Sequence, residues 1–97
     1  MSTEDVTITH RADRHRFELA VDGEVVGYST YRDADGVRTF LHTEIDPSVE
    51  GRGFGSQLIR EALDQTRAAG LSVVPQCPFV RAFIEQHPEY ADLVDAA

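Results

Sequence analysis

The sequence predicts an α+β domain in which an antiparallel meander and one later strand form a sheet with one helix on each face. Three observations carry this expectation. Apolar and polar residues alternate through the first half, helical spacing replaces that alternation after Asp46 and Pro47, and a short apolar run separates two helical stretches. With 97 residues the chain has room for one core, so residues 1–97 are expected to form a single domain.

Val6 and Ile8 predict a short opening strand. Phe17, Leu19 and Val21 alternate with Arg16, Glu18 and Ala20, and Asp22 with Gly23 supplies a hairpin turn. Residues 24–31, rich in Val, Tyr and Thr, form the partner strand, and the Asp-Ala-Asp-Gly stretch at 33–36 reads as a second turn. Residues 37–45 complete the meander. Strict alternation would put Val37, Thr39, Leu41, Thr43 and Ile45 on one face and Phe40, His42 and Glu44 on the other.

Over residues 55–69 the apolar positions Leu58, Ile59, Ala62 and Leu63 have helical spacing, and Gly70 ends the helix. Residues 71–74 read as a short buried strand. Pro78 opens a second helix with Val80, Phe83 and Ile84 on one stripe, closed by His87 and Pro88. Phe79 and Phe83 are expected in the core.

The formal net charge of -8 argues against nucleic acid or anionic membrane as partners, since both require clustered cations. All nine basic residues are arginine, so any phosphate must be held by arginine or by backbone N–H groups. The single cysteine, Cys77, rules out an internal disulfide and suits a reducing compartment. The start of the chain, Met1, Ser2, Thr3, Glu4 and Asp5, is polar and acidic, unlike a signal peptide, and a cytoplasmic location is expected. No metal site is expected, because His42, Cys77 and His87 lack short ligand spacing. A monomer or a dimer fits this size.

Glu50, Gly51, Arg52, Gly53, Phe54, Gly55 and Ser56 stand between a strand and a helix start. Glycines at alternate positions allow a tight turn and a close ligand approach, and the first N–H groups of a helix attract an anion. A mononucleotide loop would need lysine, and a dinucleotide fingerprint starting at Gly51 would need glycine where Ser56 stands. Spacing alone leaves two readings, an anion cradle and a glycine-rich connection.

The loop resembles the acetyl-CoA loop of the GNAT superfamily of N-acyltransferases, through Gly53, Phe54 and Gly55 and the helix that follows them. Two further stretches are similar to the minimal, single-domain subfamily: His42, Thr43, Glu44 and Ile45 before the loop, and Pro75, Gln76, Cys77, Pro78, Phe79 and Val80 after it, continuing to Tyr90. One departure is Glu50, where the family pattern has Gln or Arg. The resemblance implies a GNAT-like mixed sheet whose later strand splays from the meander. It implies that acetyl-CoA lies in the gap, with pantetheine along Thr43 and Ile45 and pyrophosphate on Gly51, Arg52, Gly53, Phe54, Gly55 and Ser56. The activity implied is acetyl transfer to an amine acceptor, small or protein. The alternative is a coenzyme A-binding module with little or no catalysis.

Such a transfer needs a base for the amine and a proton for the departing thiolate. His42 is the candidate base, because imidazole titrates near neutrality, and Glu44, two residues on, is placed to orient it. Cys77 precedes the first residue of a helix, where free N–H groups favour a thiolate. It would accept the acetyl group or protonate the coenzyme sulfur. Each of these residues also has a plain structural reading, as a sheet histidine, a solvated carboxylate and a small buried hydrophobe. Tyr90 is a further candidate acid.

Overall fold

The computed structural model describes residues 4–95, so Met1, Ser2 and Thr3 of the acidic start lie outside the described residues. Five strands form one sheet in sequence order: β1 (Val6–Arg11), β2 (Arg16–Val21), β3 (Glu24–Ala34), β4 (Val37–Ile45) and β5 (Ser72–Pro75). The first four are antiparallel, and β4 pairs with β5 in parallel. Helix α1 (Phe54–Ala68) connects β4 to β5, and α2 (Pro78–Gln86) leads into a 3-10 turn at Pro88–Leu93. This is the expected α+β mixed sheet.

Two of the three hairpins, β2–β3 and β3–β4, turn on Asp-Gly pairs. Asp22 and Gly23 have φ of 51° and 86°, and Asp35 and Gly36 have 54° and 78°. Positive φ at both central residues matches the right-handed twist of the flanking strands. The second turn is therefore confined to Asp35 and Gly36, and β3 runs on through Ala34.

Helix α1 buries Leu58, Ile59, Ala62 and Leu63 against the sheet. Its end is closed by Gly70 at φ 76°, with Gly70 N–H donating to Arg67 O and Leu71 N–H to Thr66 O. That pairing satisfies carbonyls that the last turn would otherwise leave open. Phe17, Leu19, Tyr31 and Phe40 supply the sheet side of the core, and Val80, Phe83 and Ile84 the α2 side. Truncating Leu58 or Leu63, both fully buried, to alanine would cost about 2–5 kcal/mol.

Two expectations are corrected here. The helices share one face of the sheet. Beyond β5 the chain returns in parallel beside Val73 through a bridge from Val94, so the steps β4 to β5 and β5 to Val94 move the same way across the sheet. Right-handed crossovers in the same direction place their helices on the same side. Contacts between the helices agree: Arg60 of α1 lies over the Phe83 ring of α2, and the Tyr90 hydroxyl donates to Asp64 of α1 at 2.7 Å. The second correction concerns β4. Tyr31 pairs with Phe40 and Thr30 with His42, which leaves Leu41 as a bulge. Phe40 therefore shares the helix-covered face with Thr43 and Ile45, while His42 and Glu44 occupy the open face. No helix among the described residues is long and apolar enough to cross a membrane.

Candidate functional site

The parallel pairing of β4 with β5 ends at Phe40 and Pro75, and the amide of Cys77 makes the last link, to Phe40 O at 2.9 Å. From there β5 has turned away into α2, so the C-terminal half of β4 diverges from its neighbour. The gap is a cavity of about 560 Å³, walled by Thr43, Glu44 and Ile45 on one side and by Gly51, Gly53, Gly55 and Ser56 on another. Ile45 is held at this rim by Gly27, where a Cβ would stand 2.5 Å from Ile45 Cδ1.

The loop delivers the start of α1 into the cavity. Gly53 is the N-cap at φ 82°, a left-handed conformation that side-chain-bearing residues adopt with strain. The first intrahelical bond of the turn is Gln57 N–H to Gly53 O, at 3.1 Å. The amides of Phe54, Gly55 and Ser56 precede it and are free to serve an anion at the positive end of the helix dipole. Around Gly51 and Gly53 no atom lies within 4 Å of where a Cβ would stand, so a ligand can approach the backbone directly. These features fit a diphosphate. Arg52 is engaged differently: it pairs with Glu4 and stacks over the Phe54 ring at 4.8 Å. Glu50 lines the cavity.

The candidate catalytic residues fall on two sides of β4. On the open face, Glu44 accepts from the Tyr28 hydroxyl at 2.6 Å and meets His42 Nε2 at 3.3 Å. The Tyr28 hydroxyl first, and then the imidazole, hold the Glu44 carboxyl below the usual carboxylate range. The same bond raises the Tyr28 phenol, because ionising it would set two negative charges together. On the helix-covered face, Cys77 is only 3% exposed, and its thiol donates to Thr43 Oγ1 at 3.4 Å. Thr43 in turn shares a hydrogen bond with Ser29, at 2.9 Å. The bulge at Leu41 thus puts His42 and Cys77 on opposite faces of the sheet.

Two further residues read differently in three dimensions. Tyr90 is buried and hydrogen-bonded to Asp64, well along α1 from the cavity, so it packs the far end of the helix and does not line the cavity. Phe79, expected in the core, is 42% exposed and lines the cavity against Gly55. Its position directly after Cys77 and Pro78 was the available signal, since the first turn of α2 borders the gap. Pro47 and Val49, in the 3-10 turn Pro47–Val49 before the loop, also line it.

A short parallel pair that separates beyond Phe40, with a helix N-terminus and its glycine loop at the opening, places this chain in a class of mixed-sheet α+β domains. The family profile for GCN5-related N-acetyl-transferase matches residues 16–93, and the chain belongs to that family. Among solved structures, a GCN5-like protein from Staphylococcus aureus superposes with a TM-score of 0.70 at 20% identity, covering 100% of this chain and 93% of that one. A GNAT family acetyltransferase from Brucella melitensis in complex with acetyl-CoA gives a TM-score of 0.58 at 25% identity, over 74% of this chain and 54% of that one. The ribosomal-protein-S18-alanine N-acetyltransferase of Escherichia coli gives 0.65 at 14% identity, over 87% and 76%. The chain thus spans about half of the Brucella protein and nearly all of the staphylococcal one. A search of curated proteins gives no match.

Proposed function

We propose that this chain is an acetyl-CoA-dependent N-acetyltransferase. The observation that carries the proposal is the cavity between the diverging end of β4 and the first turn of α1, whose size and free amides suit a coenzyme diphosphate and its pantetheine arm. Family membership and the acetyl-CoA complex of the Brucella relative support it.

In this reading Phe54, Gly55 and Ser56 bind the diphosphate through their amides, and Gly51 and Gly53 let it come close. The unpaired edge of β4 at Thr43 and Ile45 takes the pantetheine amides. Acetyl-CoA supplies the activated acyl group: the amine nitrogen bonds to the acetyl carbon as the carbon–sulfur bond breaks, and the coenzyme leaves as a thiol. The residues of the chain manage the two protons. Glu44, held ionised by Tyr28, is a weak base but a good anchor for a cation, so His42 beside it takes the proton from the amine. Cys77, one hydrogen bond behind the cavity-lining Thr43, protonates the departing sulfur or first takes the acetyl group itself.

Ser56→Glu tests coenzyme binding without harming the fold. Ser56 is exposed in the first turn of α1, where an added carboxylate stabilises a helix, yet that carboxylate would repel a diphosphate. Coenzyme A should raise the melting temperature of the native protein. The variant should melt no lower on its own and lose that rise. An undiminished rise would place the diphosphate elsewhere.

A further inference from the structure

A second groove, of about 300 Å³, opens on the uncovered face of the sheet beside the cavity. Glu44 and Pro47 line both spaces, so a molecule in the groove and one in the cavity would meet at Glu44. The charged residues lining the groove are both acidic, Glu44 and Asp46. Arg16 beside the groove is already engaged: it lies over the Tyr28 ring at 5.1 Å while it pairs with Glu18 at 2.6 Å. The rest of the wall is largely apolar, with Val25 standing 51% exposed and Pro47 in the 3-10 turn that follows β4.

We propose that this groove seats the acceptor, and that the acceptor is an ammonium on an unbranched alkyl chain bearing no carboxylate near it. This deepens the acetyltransferase reading and rests on it. Two fixed carboxylates attract a cation and repel an anion, so a free amino acid, whose carboxylate adjoins its amine, is disfavoured. Val25 and Pro47 offer methylene contacts rather than hydrogen bonds, which suits an aliphatic stem. The Tyr28 hydroxyl keeps the Glu44 carboxylate in place, so the anchor exists before the amine arrives. A lysine side chain in a peptide and a free alkyl diamine share this chemistry.

The test is an amide-resolved NMR titration of the full chain without coenzyme. The probes are 1,4-diaminobutane, an unstructured lysine-containing peptide capped at both ends, and glutamate. Both amines should shift the amides of Tyr28, Glu44 and Asp46, and the tighter of the two identifies the source. Glutamate should leave them in place. Asp46→Asn keeps the side-chain oxygen that accepts from Ser48 N–H, so the turn survives while the charge is lost. It should weaken amine binding about fivefold. Glu85→Gln, which removes the same charge from the exposed side of α2, should leave amine affinity unchanged. Equal shifts with glutamate, or equal weakening by both variants, would overturn the proposal. The coenzyme reading is decided separately by the melting experiment on Ser56→Glu.

Discussion

Phe79 rests on Gly55: a Cβ at Gly55 would stand 2.6 Å from Phe79 Cζ. The start of α2 thereby closes over the start of α1, and the contact sets one wall of the cavity. Because Phe79 is 42% exposed, its ring can swing outward to admit a methyl group.

Gly55→Ala should accordingly fold. The helix-propensity gain of about 1 kcal/mol offsets the lost ring contact, so denaturation should show little net change. With Phe79→Ala also present, the same substitution should stabilise by about 0.5–1 kcal/mol, because nothing opposes the added methyl. Coenzyme affinity should drop in Gly55→Ala alone, as the displaced ring alters the cavity. Purely additive stabilities would show that the two residues do not press on each other.

Asp33 and Arg38 form a two-pronged ion pair, with Nε and Nη2 donating at 2.8 and 2.9 Å to the two carboxylate oxygens. Arg38 is buried beneath Tyr31, at 4.1 Å from its ring, and reaches Thr66 on α1. The hydrogen bonds from Arg38 hold the Asp33 carboxyl below its ordinary range. A depressed carboxyl contributes stability above its unfolded value and loses it as pH falls through the folded value. Asp33→Asn should therefore cost about 1–3 kcal/mol at neutral pH, the range for a partly exposed partner of a buried charge. The gap to the native protein should close below the ordinary carboxylate range. Urea melts at neutral and acid pH measure it, and a gap independent of pH would assign the cost to packing.

Cys77 is buried behind Thr43, which lines the cavity. At 3% exposure its thiol should react with iodoacetamide at least about tenfold more slowly than a free thiol, since reaction needs a local opening. Acetyl-CoA, delivered through the cavity past Thr43, should nonetheless leave an acetyl increment on Cys77 that hydroxylamine removes. Cys77→Ala should keep the coenzyme-induced rise in melting temperature and lose turnover. Full turnover in that variant would make the thiol a core residue and leave the proton transfers to His42 and Glu44.

The sequence by itself determined the five strands and the two α-helices to within a few residues, while the 3-10 turns at Ala12–Arg14, Pro47–Val49 and Pro88–Leu93 were not legible in it. The two Asp-Gly turns, the helical spacing of Leu58, Ile59, Ala62 and Leu63, Gly70 and Pro78 act through local backbone preferences that neighbours do not override. Motif order was legible in the same way, and it placed the loop from Gly51 to Ser56 at a helix start. The tertiary structure alone decided which residues meet. Whether Phe40 sides with Thr43 or with His42 depends on one unpaired residue, Leu41, and a bulge forms from pairing with β3, which no period within β4 can report. The helices share a face because of the direction in which successive crossovers move across the sheet, a property of strand order rather than of either helix. Those two decisions carry Cys77 into the core beside Thr43, leave Glu44 and His42 on open sheet, and bring Phe79 out to the rim of the cavity.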